Sequence, residues 1–297
     1  MMTDVTAASG HRGPQDEPPG SAQEAPPVDP GLDRMRHYLL DRTGVRIPSD
    51  QAYFFESRLR RIMTSVSVST FDQLVGAMQR DTAESRALTD RVVDALMTHE
   101  TSFFRNPEVF RKLQSALIPE VTARLGPKAD LRLWSAAAST GQEAVSLSIL
   151  MHEMGHQRPY SILGTDIGVA TIDKARAGAY SVLETNRGLS GLQLNRWFER
   201  EGASFRSVPS VRNPISFRVH NLLEPMAATA PFHVVMLRNV LVYFDEASRM
   251  RTFENVARVV APGGVVVLGT GEQLLNIPEH LFTRHIEERV AWLCRRG

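Results

Sequence analysis

Three polar residues stand where strand-like runs give out: Asp166 closes "YSILGTD", Asn221 closes "ISFRVHN", and Asn239 follows "FHVVML". A fourth run, "LRLWSA", passes into Ala136, Ala137, Ala138, Ser139, Thr140 and Gly141, and a helical pattern, "GQEAVSLSILMHEMG", begins at once. Small residues at a strand-to-helix turn leave backbone N–H groups open at a helix N-terminus, which suits polar or negative ligand atoms. The turn has neither the G-x-G-x-x-G of a dinucleotide site nor the lysine of a P-loop, so a pyrophosphate is not the expected ligand. A carboxylate at the end of the next strand, Asp166, can hold two ribose hydroxyls. Amides at the following strand ends, Asn221 and Asn239, each offer a donor and an acceptor to an adenine edge. An adenosine without phosphates fits this set. Singly, each of these residues is as well explained as a backbone cap; their recurrence at successive strand ends favours a site.

The elements that must position them follow from periodicity. Residues 1–31 are rich in Pro, Gly, Ala, Ser and acidic residues and read as a disordered tail. Residues 32–105 carry helical patterns only: "LDRMRHYLLDRTG" stopping at Gly44, "SDQAYFFESRLRRIM" capped by Ser49 or Asp50, "TFDQLVGAMQRD" and "ESRALTDRVVDALM". "NPEVFRKLQSALIPEVTARLG" opens with Asn106 as cap and Pro107 at the first helical position. Over 106–297, short apolar strands alternate with helices, as in a parallel α/β sheet, and "LFTRHIEERVAWLCRR" reads as a closing pair of extended segments. The pattern weakens over 188–215, which is expected to be an insertion between sheet strands.

Composition narrows the classes further. The 297 residues are 42% apolar and carry a formal charge of +1, so no general attraction to nucleic acid or to an anionic membrane is expected. Cys294 is the single cysteine and no apolar run approaches the roughly 18 residues of a membrane helix, so a cytoplasmic, soluble protein is expected. His152 and His156 sit four apart without a third ligand, and no metal is expected.

Six blocks taken in order, "FFESRLRRIM", "MTHETSFFRNPEVF", "LRLWSAAASTGQEAVSLSI", "ILGTDIGVATIDKARAGAY", "NLLE" and "PFHVVMLRNVLVYFD", resemble the CheR family of chemoreceptor glutamate methyltransferases. The resemblance spans about Leu32 to Cys294. It implies an α/β, Rossmann-like S-adenosylmethionine-dependent methyltransferase domain with a small inserted β-subdomain, preceded by an all-helical N-terminal domain. Position by position, it implies cofactor contacts at His99, Thr101, Arg105, Glu143, Asp166, Asn221, Leu222, Asn239 and Val240. His99 stands where many members carry Asn, and Thr270 where many carry His; Glu272 matches.

The reaction so implied moves a methyl group from sulfonium to the γ-carboxylate of a receptor glutamate. A solvated glutamate, with a pKa of about 4.3, is already ionised, and the leaving thioether is neutral, so neither general base nor acid is needed. Alignment is the protein's task. Arg105 can grip a carboxylate bidentately, with an interdomain ion pair as the plainer alternative. Tyr243 is placed to line the acceptor pocket, or else is a core tyrosine. Arg58 and Arg61 share one helical face, with Arg60 nearby, on the helix where the resemblance implies contact with the acidic methylation helices of cytoplasmic receptor domains; an ordinary solvated face is the alternative. Within the insertion, the stretch "EREGASFRSVPSVRNP" holds only Gly202, so docking of a receptor tail peptide is not expected, and nothing demands more than a monomer. A same-fold regulator that binds S-adenosylmethionine or its product S-adenosylhomocysteine with little turnover, or a methyltransferase for another protein carboxylate, are the alternatives.

Overall fold

The computed structural model describes residues 30–47, 52–97, 100–126, 129–227 and 230–297. The expected tail, apart from its last two residues, lies outside them, as do the expected caps Ser49 and Asp50 and the candidate contact His99.

Four helices form the first layer: α1 (Pro30–Thr43), α2 (Ala52–Ser65), α3 (Phe71–Met78) and α4 (Ala83–Leu96). Thr70 and Thr82 cap α3 and α4 through their side chains, and Gly44, at φ 74°, ends α1 in a conformation glycine adopts without strain. Apolar residues three and four apart, such as Met35 and Leu39, Phe55 and Leu59, or Val92 and Leu96, turn inward to one shared core.

The α/β domain starts with α5 (Pro107–Lys112), a π turn at Leu113–Leu117, and α6 (Ile118–Arg124). The sequence pattern suggests one continuous helix here. Pro119 has no N–H to return to residue 115, and the Ile118 N–H bonds to Leu113 instead, widening the turn. Asn106 occupies the expected cap position but makes no capping bond; its backbone is left-handed and its side chain is used elsewhere.

The remaining elements are β1 (Leu131–Ala136), α7 (Gln142–Glu153), β2 (Tyr160–Asp166), α8 (Val169–Ala177), β3 (Ala179–Ser181), α9 (Val182–Thr185), α10 (Gly191–Trp197), β4 (Phe198–Glu201), β5 (Ser204–Ser207), α11 (Pro209–Arg212), β6 (Ile215–Val219), β7 (Phe232–Leu237), α12 (Glu246–Val259), β8 (Val260–Leu268), β9 (Phe282–Glu287) and β10 (Val290–Arg295). Seven strands form one sheet in the order β6-β2-β1-β7-β8-β10-β9, the first five parallel to one another and β10 antiparallel to both its neighbours, β8 and β9. Alternate residues face opposite layers: Leu133, Val234 and Val267 meet α5, α6 and α7, while Trp134, Val235 and Val266 meet α12. β1 sends its crossover to β2 on one side, while β7 lies on its other side. This reversal opens a crevice at the strands' carboxyl ends, where Rossmann-like sheets bind ligands.

The insertion begins earlier than expected. Its antiparallel sheet, β3-β5-β4, takes its first strand from Ala179–Ser181, ahead of residue 188. Three residues behind the helix stop Gly178 are too few to show a period. Phe103, from the segment linking the two domains, packs edge-on against Tyr180 and Phe198 of this sheet, with ring centroids 5.0 and 5.4 Å away.

Polar bonds stitch the helical domain across the sheet's carboxyl ends. The Asn221 amide donates to the Arg42 carbonyl (2.8 Å), and the Arg46 N–H to the Tyr243 carbonyl (2.7 Å). Asp94 on α4 accepts from the Ala170 N–H (3.0 Å) at the start of α8, whose own cap residue, Gly168, has no side chain to offer. The helical domain thus supplies the cap of a helix in the other domain. Asp94→Ala is expected to lower stability by about 1 kcal/mol, within the range for lost N-caps, measured as a shift of the urea midpoint at unchanged slope.

Candidate functional site

The turn after β1 is tightly specified. Ala137, Ser139 and Gly141 have φ of 63°, 50° and 95°. A side chain on Gly141 would meet the Phe217 ring at 3.0 Å and the Tyr180 hydroxyl at 3.1 Å, so the glycine is required by its conformation and by the wall behind it. The N–H groups are less open than the sequence suggests: that of Ala138 donates to the Thr165 carbonyl (2.8 Å) and that of Ser139 to Asp166 Oδ2 (2.9 Å). Asp166 Oδ1 accepts from the Gly168 N–H (3.1 Å). Through these two bonds Asp166 acts as a brace for the turn, while it also lines the cavity.

Arg238, the residue after β7, is the main feature the sequence reading missed. Its guanidinium donates to Glu143 Oε2 (2.8 Å), the Arg105 carbonyl (2.7 Å) and Asn106 Oδ1 (2.8 Å). The pair is buried, with Arg238 1% and Glu143 15% exposed. Ser135 donates to the other oxygen of Glu143 (2.7 Å). Burial pushes the Glu143 carboxyl above its ordinary range, against the opposing pull of Arg238 and Ser135. An arginine embedded in the apolar run "FHVVMLRNVLVYF" was the available signal, because a charge there must be either exposed or paired.

Glu272, fully buried, fixes the loop after β7. It accepts the N–H groups of Asn239 (2.9 Å), Val240 (2.8 Å), Leu241 (2.8 Å) and Gly269 (2.6 Å). Those bonds hold Asn239 in a left-handed conformation, φ 58°. Thr270, at the position of the expected histidine, lies in the same short turn.

One cavity at the carboxyl ends of the strands is lined by Thr101, Arg105, Glu143, Asp166, Asn221, Leu222, Asn239, Val240 and Tyr243, which are all the expected cofactor and acceptor-pocket residues among the described ones. Its other wall comes from the helical domain, through Thr43, Val45, Leu96 and Met97, none of which the sequence reading named. Arg105 donates to the Glu100 carbonyl (2.8 Å). Tyr243 is 45% exposed at the mouth and is not a core residue. Arg58, Arg60 and Arg61 do not line the cavity. Arg58 donates to the carbonyls of Ala95 and Met97 at the end of α4, while Arg60 and Arg61 are exposed. His152 packs on Trp197 and bonds to the Ser210 carbonyl. Among the described residues no group of His, Cys, Asp or Glu is placed to hold a metal, and no helix is long and apolar enough to cross a membrane.

Two outcomes follow from these buried charges. Arg238→Met leaves Glu143 without its cation and is expected to cost about 3–5 kcal/mol in urea denaturation. Adding Glu143→Gln should recover part of that loss. His220, also on the cavity wall, has its pKa lowered, chiefly by burial and further by Arg218, with Glu224 opposing. Because the folded value lies below the unfolded one, stability is full above the ordinary value of 6.5 and falls as pH drops below it toward the folded value. His220→Gln should flatten that acid-side decline relative to the parent when melting temperatures are compared across this window.

Comparison with known proteins agrees with this geometry. The family described as "CheR methyltransferase, SAM binding domain" matches residues 99–290, and "CheR methyltransferase, all-alpha domain" matches residues 30–93. Chemotaxis protein methyltransferase 1 of Pseudomonas aeruginosa is 34% identical over 253 residues, covering 83% of this chain and 91% of that protein. Chemotaxis protein methyltransferase Cher2 of Pseudomonas putida is 34% identical over 261 residues, covering 84% and 92%. A probable biofilm formation methyltransferase, WspC, of Pseudomonas putida is 31% identical over 271 residues, covering 89% of this chain and 62% of that protein. The chain belongs to the CheR methyltransferase family, whose α/β domain binds S-adenosylmethionine.

Proposed function

We propose that this methyltransferase esterifies the γ-carboxylate of glutamate side chains on the cytoplasmic helices of chemoreceptors. The observation that carries the reading is the cavity mouth: Arg105 and the half-exposed Tyr243 stand at the opening between the helical domain and the sheet, facing a surface that a protein segment can reach. When bound, S-adenosylmethionine supplies an electrophilic methyl group on sulfonium, and a carboxylate already ionised at neutral pH needs no base to accept it. That requirement suits a site built for orientation.

The residues divide the work by their chemistry. Asp166, a carboxylate at the end of β2 on the cavity wall, suits the ribose hydroxyls; Asn221 and Leu222 suit the adenine. Glu143 suits the methionyl ammonium, since a second cation would offset the burial that opposes its charge. Arg105 suits a carboxylate, either the methionyl group or the incoming glutamate, and orients it without activating it. Exposed Arg60 and Arg61 on α2 suit steering of an acidic helix, while Arg58 is occupied at the end of α4.

The deciding assay incubates the full chain with methyl-labelled S-adenosylmethionine and cytoplasmic receptor fragments from its own host, and counts base-labile label released as methanol. Arg105→Ala is expected to lower turnover by about 10²-fold, the scale of a misaligned reactant, with the fold intact by circular dichroism. Tight S-adenosylhomocysteine binding without any label would replace this reading with that of a cofactor-binding regulator.

A further inference from the structure

Beside the cavity mouth, two short turns joined to each other carry exposed apolar side chains, a ridge outside the buried core clusters. Val242 and Tyr243 lie in a short 3-10 turn at Leu241–Tyr243, and Leu274 follows a second such turn at Thr270–Glu272. Val242 is 42% exposed, Tyr243 45% and Leu274 88%. The two turns are held together, since Glu272 in one binds the Val240 and Leu241 N–H groups leading into the other. A side chain on Gly271 would meet Val242 at 3.1 Å, so this small residue lets the turns approach. Tyr243 lines the cavity, so the turn that carries Val242 borders its opening, and the turn before Leu274 is bound to that turn through Glu272. Next to it, exposed Arg46 donates its backbone N–H to the Tyr243 carbonyl, and its guanidinium has no ion pair among the described residues.

Geometry limits what can cover this ridge. A glutamate carboxylate reaches only about 5 Å from its own Cα, three single bonds and a carboxylate. The backbone of a helical substrate must therefore lie against the mouth. Residues three and four positions away on the same helix stand only about 5–6 Å from the acceptor, and they fall on the rim. A small-molecule acceptor would leave Leu274 in water. We infer that Val242 and Leu274 are specificity-determining residues: they receive an apolar side chain of the substrate helix one turn from the acceptor glutamate, while Arg46 faces an acidic residue of the same helix. This inference rests on the receptor-glutamate reading and deepens it.

The test uses full-length protein and a receptor fragment whose methylated glutamate has been located by mass spectrometry. Leu274→Ser and Val242→Ser are expected each to raise KM for the fragment by several-fold, and together by roughly tenfold, the scale of one buried apolar anchor. The kcat and the S-adenosylhomocysteine affinity should stay at the parent values, which reports an intact cofactor cavity. Placing Asp in the fragment at the apolar position one turn from the acceptor should raise KM for the parent protein but add little for the double variant. Unchanged KM in the double variant, or equal effects of that Asp on parent and variant, would overturn the ridge assignment while leaving receptor methylation standing. No methylation by the parent protein would overturn the receptor reading, and the ridge assignment with it.

Discussion

A guanidinium buried at the carboxyl end of a parallel sheet is tolerated only where acceptors already wait for it. Arg238 meets that condition with acceptors from two places: Glu143 at the start of α7, and Arg105 and Asn106 in the segment that joins the two domains. The linking segment needs such support. Phe104 and Asn106 both have positive φ, 46° and 62°, and neither is glycine. Left-handed backbone at non-glycine residues persists where surrounding contacts over-determine it. Here the Phe104 N–H donates to Ser146 on α7 (2.9 Å), the Phe103 ring is locked against Tyr180 and Phe198, and Arg238 holds the next two residues. The direction in which Arg105 leaves the backbone is therefore set from β7, α7 and the inserted sheet together.

The same logic recurs with the opposite charge. Glu272 has no cation beside it in its hydrogen-bond set; it is held by four backbone N–H groups. Charge-assisted bonds of this kind are the stronger ones, and they fix the peptide groups of residues 239–241 rather than another side chain. Asp166 does the same for the turn after β1. Three carboxylates thus shape the floor of the cavity, two through the backbone and one through a buried arginine. A site of this construction presents fixed dipoles and walls, in keeping with a reaction whose barrier depends on alignment.

Much of this was legible in the sequence, and the failures have physical causes. The strands 131–136, 160–166 and 232–237 were readable to the residue, because strands buried on both faces are unbroken apolar runs bounded by turn residues. β3 was not, since three residues cannot show a period of two. The π turn was hidden because the apolar pattern runs on through Pro119, whose missing N–H interrupts the α-helical ladder. Asn106 looked like a cap and is instead an acceptor for Arg238, a partner 132 positions away in the chain. The polar floor of the cavity was visible as a pattern of strand ends, but the opposite wall, Thr43, Val45, Leu96 and Met97, was not. Those residues share no motif; they meet only because two helices of one domain end over the sheet of the other.

That second wall bears on why a helical domain should accompany the sheet at all. The carboxyl ends of the strands alone would make an open crevice. Capping of α8 by Asp94, the bond from Asn221 to the end of α1, and the short bridge between Val45 and Phe244 bring the ends of α1 and α4 across it. Each bond is local and modest, yet together they decide the shape of the cavity, because an interface made of helix ends exposes few side chains that could rearrange. Excluding water strengthens every electrostatic interaction that remains in a methyl-transfer site. The helical domain is accordingly part of the reaction chamber: Leu96, which closes it, lies in the same small core as Phe55 and Leu59 on the buried face of α2.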